Sequence, residues 1–229
     1  MIYPKEATYI LSCEHASPKV PNEFKPKLYP WIETLDLHRI YDLGALEIGK
    51  KMARRLKAPF FQGEYTRLLV DLNRSLQNPE LHSELIATLS DHERATIIQH
   101  YYTPYRTRVE QAIEQALLQG KPVIHISVHS FTPILNGKER DAEFGVLFDP
   151  DRPAEAEFCE NWLKTIQDSM PRWRCWLNYP YHGADDGFTT ALRQRFPVNY
   201  LGIELEFNQK LPLQAFSTQI ARKISPLWG

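Results

Sequence analysis

Four groups of side chains in this chain have types and spacings suited to chemistry. Glu14 and His15 follow the apolar run Ile10-Leu11-Ser12-Cys13, and Asp71, Asn73 and Arg74 follow Leu68-Leu69-Val70. His129 closes Val123-Ile124-His125-Ile126-Ser127-Val128, while Glu204 and Glu206 alternate with apolar residues between Tyr200 and Phe207. Each group stands where a buried strand is expected to reach its carboxyl end, the place where open α/β sheets bind their ligands. Imidazoles and carboxylates that converge there can hold a divalent metal. A further glutamate there could touch a reacting water.

Spacing narrows the candidates. His125 and His129 share a strand face but lie roughly 13 Å apart along it, too far to ligate one ion. His129, at the strand end, is therefore the metal candidate and His125 a core or supporting histidine. Glu204 and Glu206 also share a face, about 6.6 Å apart, so that one can serve the reacting water while the other orients a neighbour. Arg67, Asn73 and Arg74 offer planar donors for a substrate carboxylate, with Asp71 placed to hold an arginine, and Arg140 is a second carboxylate-binding candidate. Residues 178–187, rich in Tyr, Gly and Asp, read as a lid or pocket wall. Cys13 beside His15 raises the alternative of a thiol nucleophile, but adjacent strand residues face opposite ways, so Cys13 is assigned to the core.

The elements that must position these groups alternate between strand and helix. Strands are expected over residues 9–13, 58–61, 66–72, 123–128, 144–148, 173–177 and 200–207, and helices over 35–56, 90–118, 153–168, 188–195 and 213–224. Ser90 with Glu93 forms a capping-box signature, and Gly120 ends the helix that follows it. Such alternation predicts a mixed or largely parallel sheet covered on both faces, an α/β protein with one domain over residues 1–229.

With 27 basic and 28 acidic residues, the chain lacks the clustered positive charge of a nucleic-acid-binding protein. No run approaches the roughly 20 apolar residues of a membrane span, and the first residues do not read as a signal peptide. Three cysteines without a CxxC spacing predict reduced thiols and a cytoplasmic location. A small-molecule or peptide substrate fits these totals.

Taken together the motifs resemble the N-formylglutamate amidohydrolase family. The matching pieces are Cys13-Glu14-His15-Ala16-Ser17 with Pro21, Asp42-Leu43-Gly44-Ala45, Arg67 to Arg74, His129-Ser130-Phe131-Thr132-Pro133, Asn178 to Gly183 with Asp186-Gly187, and Gly202 to Glu206. The resemblance implies a three-layer α/β/α fold with a mixed central sheet, phosphorylase/hydrolase-like and akin to zinc carboxypeptidases and aspartoacylases. It also implies zinc-dependent cleavage of the amide of an N-acyl amino acid such as N-formylglutamate. By carry-over, His15 and His129 bind zinc, Asn73 and Arg74 take the substrate carboxylate, and Glu204 or Glu206 is the base. The residue three positions after His15 is Pro18, where the related peptidases have a glutamate. Glu14 is therefore the expected third ligand, with Asp42 and Asp71 as alternatives. A zinc carboxypeptidase or aspartoacylase-like deacylase, and a non-catalytic binder of acidic small molecules on the same fold, are the competing functions.

Overall fold

The computed structural model describes residues 7–224. In chain order the elements are β1 (Thr8–Cys13), α1 (Lys25–Ile32), α2 (Leu37–Ile40), α3 (Ala45–Leu56), β2 (Phe60–Gln62), α4 (Asp91–Ile97), α5 (Thr103–Leu118) and β3 (Val123–Phe131). They continue with the two-residue strands β4 (Ile134–Leu135) and β5 (Lys138–Glu139), then β6 (Phe144–Leu147), α6 (Pro153–Ser169), β7 (Cys175–Leu177), α7 (Phe188–Arg195), β8 (Tyr200–Asn208) and α8 (Leu213–Ile224). Six strands form one sheet in the order β2-β1-β3-β8-β6-β7, and β4 pairs with β5 alone. The four strands from β2 to β8 are parallel; β6 runs antiparallel to β8, with β7 parallel to β6, which makes the sheet mixed. The expected α/β architecture is the observed one.

Both central strands, β3 and β8, are buried along their whole length, as expected where helices cover both sheet faces. On one face Leu11, Cys13, Ile126, Val128, Ile203 and Leu205 form a continuous core with Ile48 and Met52 of α3, Trp162 and Ile166 of α6, and Ile220 of α8. On the other face only the amino-terminal half is apolar: Ile10, Val123 and Tyr200 meet Val109 and Ile113 of α5 and Phe188 and Leu192 of α7. Beyond that level the same face carries Ser12, Ser127, His129, Glu204 and Glu206, all buried. Paired register brings them side by side, Ser12 against Ser127, Ser127 against Glu204, and His129 against Glu206.

Three local expectations change. The helix expected over 35–56 is broken between α2 and α3 by Gly44, whose φ of 83° is left-handed and whose absent Cβ makes room for Leu213. The strand expected over 66–72 is instead a run of turns, because Thr66 Oγ1 accepts from Leu68 N (3.2 Å) and donates to Ile40 O (2.8 Å), folding the chain back locally. The helix expected over 90–118 starts at the Ser90–Glu93 capping box but passes through a π-helical stretch, Ile98–Tyr102, between α4 and α5. Among the described residues no helix is long and apolar enough to cross a membrane.

Candidate metal and catalytic site

At the carboxyl end of β1 the backbone leaves the strand, and Glu14 and His15 lie in a turn. Glu14 continues the polar face of the sheet, while the turn swings His15 onto the same side. The break between α2 and α3 delivers Asp42 to this point, where its backbone N–H donates to His15 O (2.9 Å). His15, Asp42 and His129 then each present a ligand atom within 4.8 Å of the others, all three residues buried. Asp42 Oδ2 lies 2.8 Å from His129 Nδ1 and 3.4 Å from His15 Nδ1.

Both imidazoles are held from behind by a second carboxylate. His15 Nε2 is 2.7 Å from Asp71 Oδ1, and His129 Nε2 is 3.2 Å from Glu14 Oε2. Glu14 in turn accepts hydrogen bonds from Ser127 Oγ and from Tyr105 OH (2.8 Å). A carboxylate on the far nitrogen fixes the orientation of a metal-binding histidine and raises its basicity. Glu14, expected as the third ligand, lies at Nε2 of the His129 ring, and it is Asp42, at Nδ1, that joins the two histidines in the cluster. The physical reason is the pleat: Glu14 follows Ser12 on the sheet face, where Ser127, Tyr105 and His129 Nε2 engage its carboxylate.

Electrostatics follow from this crowding. Burial pulls the Glu14 and Asp42 carboxyls upward, yet the adjacent imidazoles overcome it and hold both below the ordinary carboxylate range. Burial lowers the His129 pKa, but Asp42 and Glu14 outweigh it and hold it well above the usual imidazole value. Glu206 is pushed up to about 8, chiefly by burial and then by the charges of Asp42 and Glu204, and its Oε2 has no hydrogen-bond partner. Five buried carboxylates, those of Glu14, Asp42, Asp71, Glu204 and Glu206, thus surround two histidines and the Arg67 guanidinium. A dication suits that donor set and its excess of negative charge.

The remaining residues divide between those that face the cavity and those that support it. A cavity of about 310 Å³ is lined by His15, Asp42, Arg67, Arg74, His129, Glu204, Glu206 and the wall residues Tyr181, His182, Asp185 and Asp186, among others. Glu204 is oriented by Thr189 Oγ1 (2.6 Å) and Asn73 Nδ2 (3.4 Å), and its Oε2 lies 3.9 Å from His129 Nε2. Asn73, expected to bind substrate, lines the cavity, with Nδ2 directed at Glu204 and its Oδ1 accepting from Phe188 N (2.7 Å) at the start of α7. Arg67 is anchored by Asp71 (2.7 Å), as expected of Asp71, and Arg74 donates to Asp186 O (2.8 Å). Arg140 lies behind Tyr181, bonded to its hydroxyl (3.1 Å) and stacked on its ring, and does not line the cavity. Residues 178–187 form a wall, because Asn178 Oδ1 accepts from Phe148 N (3.0 Å) and Gly183 N (3.1 Å) and ties the segment to β6.

Two readings of other residues are settled by position. Cys13 is fully buried in the core on the opposite sheet face, with its thiol pushed far up by burial, so it is no nucleophile. His125 is enclosed one level below the site, 2.8 Å from Ser12 Oγ and 2.9 Å from Tyr200 OH. Sequence reasoning missed Tyr105, Ser127 and Thr189. The signal for Tyr105 was its place on the inward stripe of α5 with Val109 and Ile113, since a buried tyrosine hydroxyl needs a partner.

Known proteins resemble this chain in sequence and in fold. The family model described as N-formylglutamate amidohydrolase matches residues 7–212. Gene product Atu2144 from Agrobacterium tumefaciens superposes with a TM-score of 0.79 at 25% identity, over 94% of this chain and 86% of that one. The N-formylglutamate amidohydrolase from Ralstonia eutropha JMP134 shares the fold, with a TM-score of 0.66 at 18% identity over 98% of this chain and 95% of that one. No curated protein matches the chain.

Proposed function

Since the chain belongs to the N-formylglutamate amidohydrolase family, we propose that it is a zinc-dependent hydrolase cleaving the amide of an N-acyl amino acid, the formyl group being the first candidate acyl group. The observation that carries this reading is the convergence of His15, Asp42 and His129 at one end of a cavity that also holds the oriented carboxylate of Glu204. His15, Asp42 and His129 would hold the ion, and the unpartnered Glu206 oxygen and the surplus of buried carboxylates fit a cation there. Such an ion supplies Lewis-acid polarisation of the carbonyl and acidification of water.

The chain's own residues supply the rest. Glu204, fixed by Thr189 and Asn73, takes the proton from the attacking water and returns it to the leaving amine. Arg67 and Arg74 face the cavity and hold the substrate carboxylate, so that binding orients the scissile bond. Asp71 and Glu14 keep the two imidazoles in place. Glu206 stands beside Glu204 as a second carboxyl facing the cavity.

The test is amine release from a panel of N-acyl amino acids, N-formylglutamate included, by protein that has been chelated and then resupplied with zinc. Activity should require the metal, and Glu204→Gln should lose roughly 10²–10⁴-fold in kcat while keeping its metal. A metal-free sample as fast as the reloaded one refutes the reading. Stoichiometric ligand binding without turnover of any panel member would make the protein a binder.

A further inference from the structure

We infer that the cavity selects an N-acyl amino acid with a single carboxylate and a positively charged side chain, in preference to a dicarboxylate such as N-formylglutamate; this rests on the function proposed above. The observation is the charge inventory of the cavity. Its lining contains six acids, Asp42, Glu80, Asp185, Asp186, Glu204 and Glu206, and two guanidinium groups, those of Arg67 and Arg74.

Those two guanidiniums already have acidic partners. Arg67 lies 2.7 Å from Asp71 and 3.7 Å from Asp42, and Arg74 lies 3.8 Å from Glu80 while donating to Asp186 O. Their remaining N–H groups can take one substrate carboxylate. A second carboxylate would find no further guanidinium or ammonium in the lining, because Arg140 is stacked behind Tyr181. His182, whose Nδ1 accepts from Ala184 N (3.2 Å), offers a single N–H at Nε2 in place of a guanidinium or ammonium.

The outer wall is acidic. Asp186 is committed to the scaffold through Ser75 N (3.1 Å) and Asn78 Nδ2 (2.5 Å). Asp185 uses one oxygen on His182 N (3.1 Å) and is otherwise exposed to the cavity, and the Glu80 side chain is 77% exposed. Even with a dication bound, the lining keeps an excess of negative charge. A side-chain amine or guanidinium placed there meets attraction, and a carboxylate meets repulsion, both sensitive to salt because these acids face solvent.

The experiment is a kcat/KM comparison of N-formyl-lysine, N-formyl-arginine, N-formylglutamine and N-formylglutamate on the zinc-loaded protein, at low and high salt. The expected order is cationic, then neutral, then glutamate, with at least tenfold between the extremes at low salt, carried mainly by KM and shrinking as salt rises. Asp185→Asn combined with Glu80→Gln should compress that ratio severalfold. A preference for N-formylglutamate overturns the inference while leaving the proposed function intact, and its loss in Arg140→Gln would assign the second carboxylate to Arg140. Turnover of no panel member overturns both.

Discussion

Lowering the pH should destabilise this protein through His125 by an amount that follows from its surroundings. The imidazole is fully buried, wedged between Ser12 Oγ and Tyr200 OH with Phe188 against its ring, and burial depresses its pKa from 6.5 to about 4. The folded state therefore resists a proton that the unfolded chain accepts. Stability contributed by the neutral ring is complete above the unfolded value of 6.5 and is lost progressively as pH falls toward the folded value of about 4. Between about pH 8 and pH 5 the two values correspond to a loss of ~2 kcal/mol from this residue alone. Urea unfolding of the wild type and of His125→Gln at both pH values isolates it. His38 and His82, whose pKa values burial also lowers, titrate in both proteins and cancel in the difference. The wild type should lose about 2 kcal/mol more than the variant. Equal losses would mean that His125 is not held neutral, and would refute the inference from its burial.

Three further substitutions test the site and its supporting structure. Glu14→Gln should weaken metal binding roughly 10–100-fold, whereas Asp42→Ala should abolish stoichiometric metal, both read by elemental analysis and competition with a chelator; equal loss in the two would return Glu14 to the ligand set. Arg193→Ala removes a guanidinium bonded to both oxygens of Glu155 (3.1 and 3.0 Å) and to the carbonyls of Gly183 and Gly202 (2.6 Å each). Because Glu155 is completely buried and keeps only Arg152 as a charged partner (3.2 Å), the cost should be about 3 kcal/mol in urea unfolding, and a loss below about 1 kcal/mol would show that Arg152 suffices.

The ends of the strands were legible because an apolar run that stops at a polar pair is a local pattern. His15, His129, Glu204 and Glu206 do share one cavity. Less legible was what lies between elements. Asp42 is flanked by residues at helical spacing, Leu37 and Ile40 before it and Ile48 and Met52 after it, and the break that exposes it depends on Gly44 adopting a left-handed conformation beneath Leu213. Asn73 carries donors that suit a substrate carboxylate, and nothing in its neighbours along the chain reveals that Glu204 and the first turn of α7 use both ends of its amide. Glu14 looked like a ligand because it adjoins His15, but adjacency in a strand separates side chains unless the backbone turns, and here the turn moves His15 alone into the cluster.

Sheet register explains why these polar groups meet at all. Across β1, β3 and β8 the site-facing residues form levels: Thr8, Val123 and Tyr200; then Ile10, His125 and Gly202; then Ser12, Ser127 and Glu204; with His129 beside Glu206 above them. From the level of Ser12, Ser127 and Glu204 onward the face is polar in all three strands, though each reaches that level at a different point in the sequence. A one-residue slip of β8 would turn Glu204 and Glu206 toward the core formed by α3 and α6 and bring Leu205 to the cavity, so the core that rejects those carboxylates also specifies the site. Gly202 completes the fit: a Cβ there would approach Thr189 Cβ to 3.2 Å and Tyr200 OH to 3.0 Å, and its absence lets α7 lie close enough for Thr189 to hold Glu204.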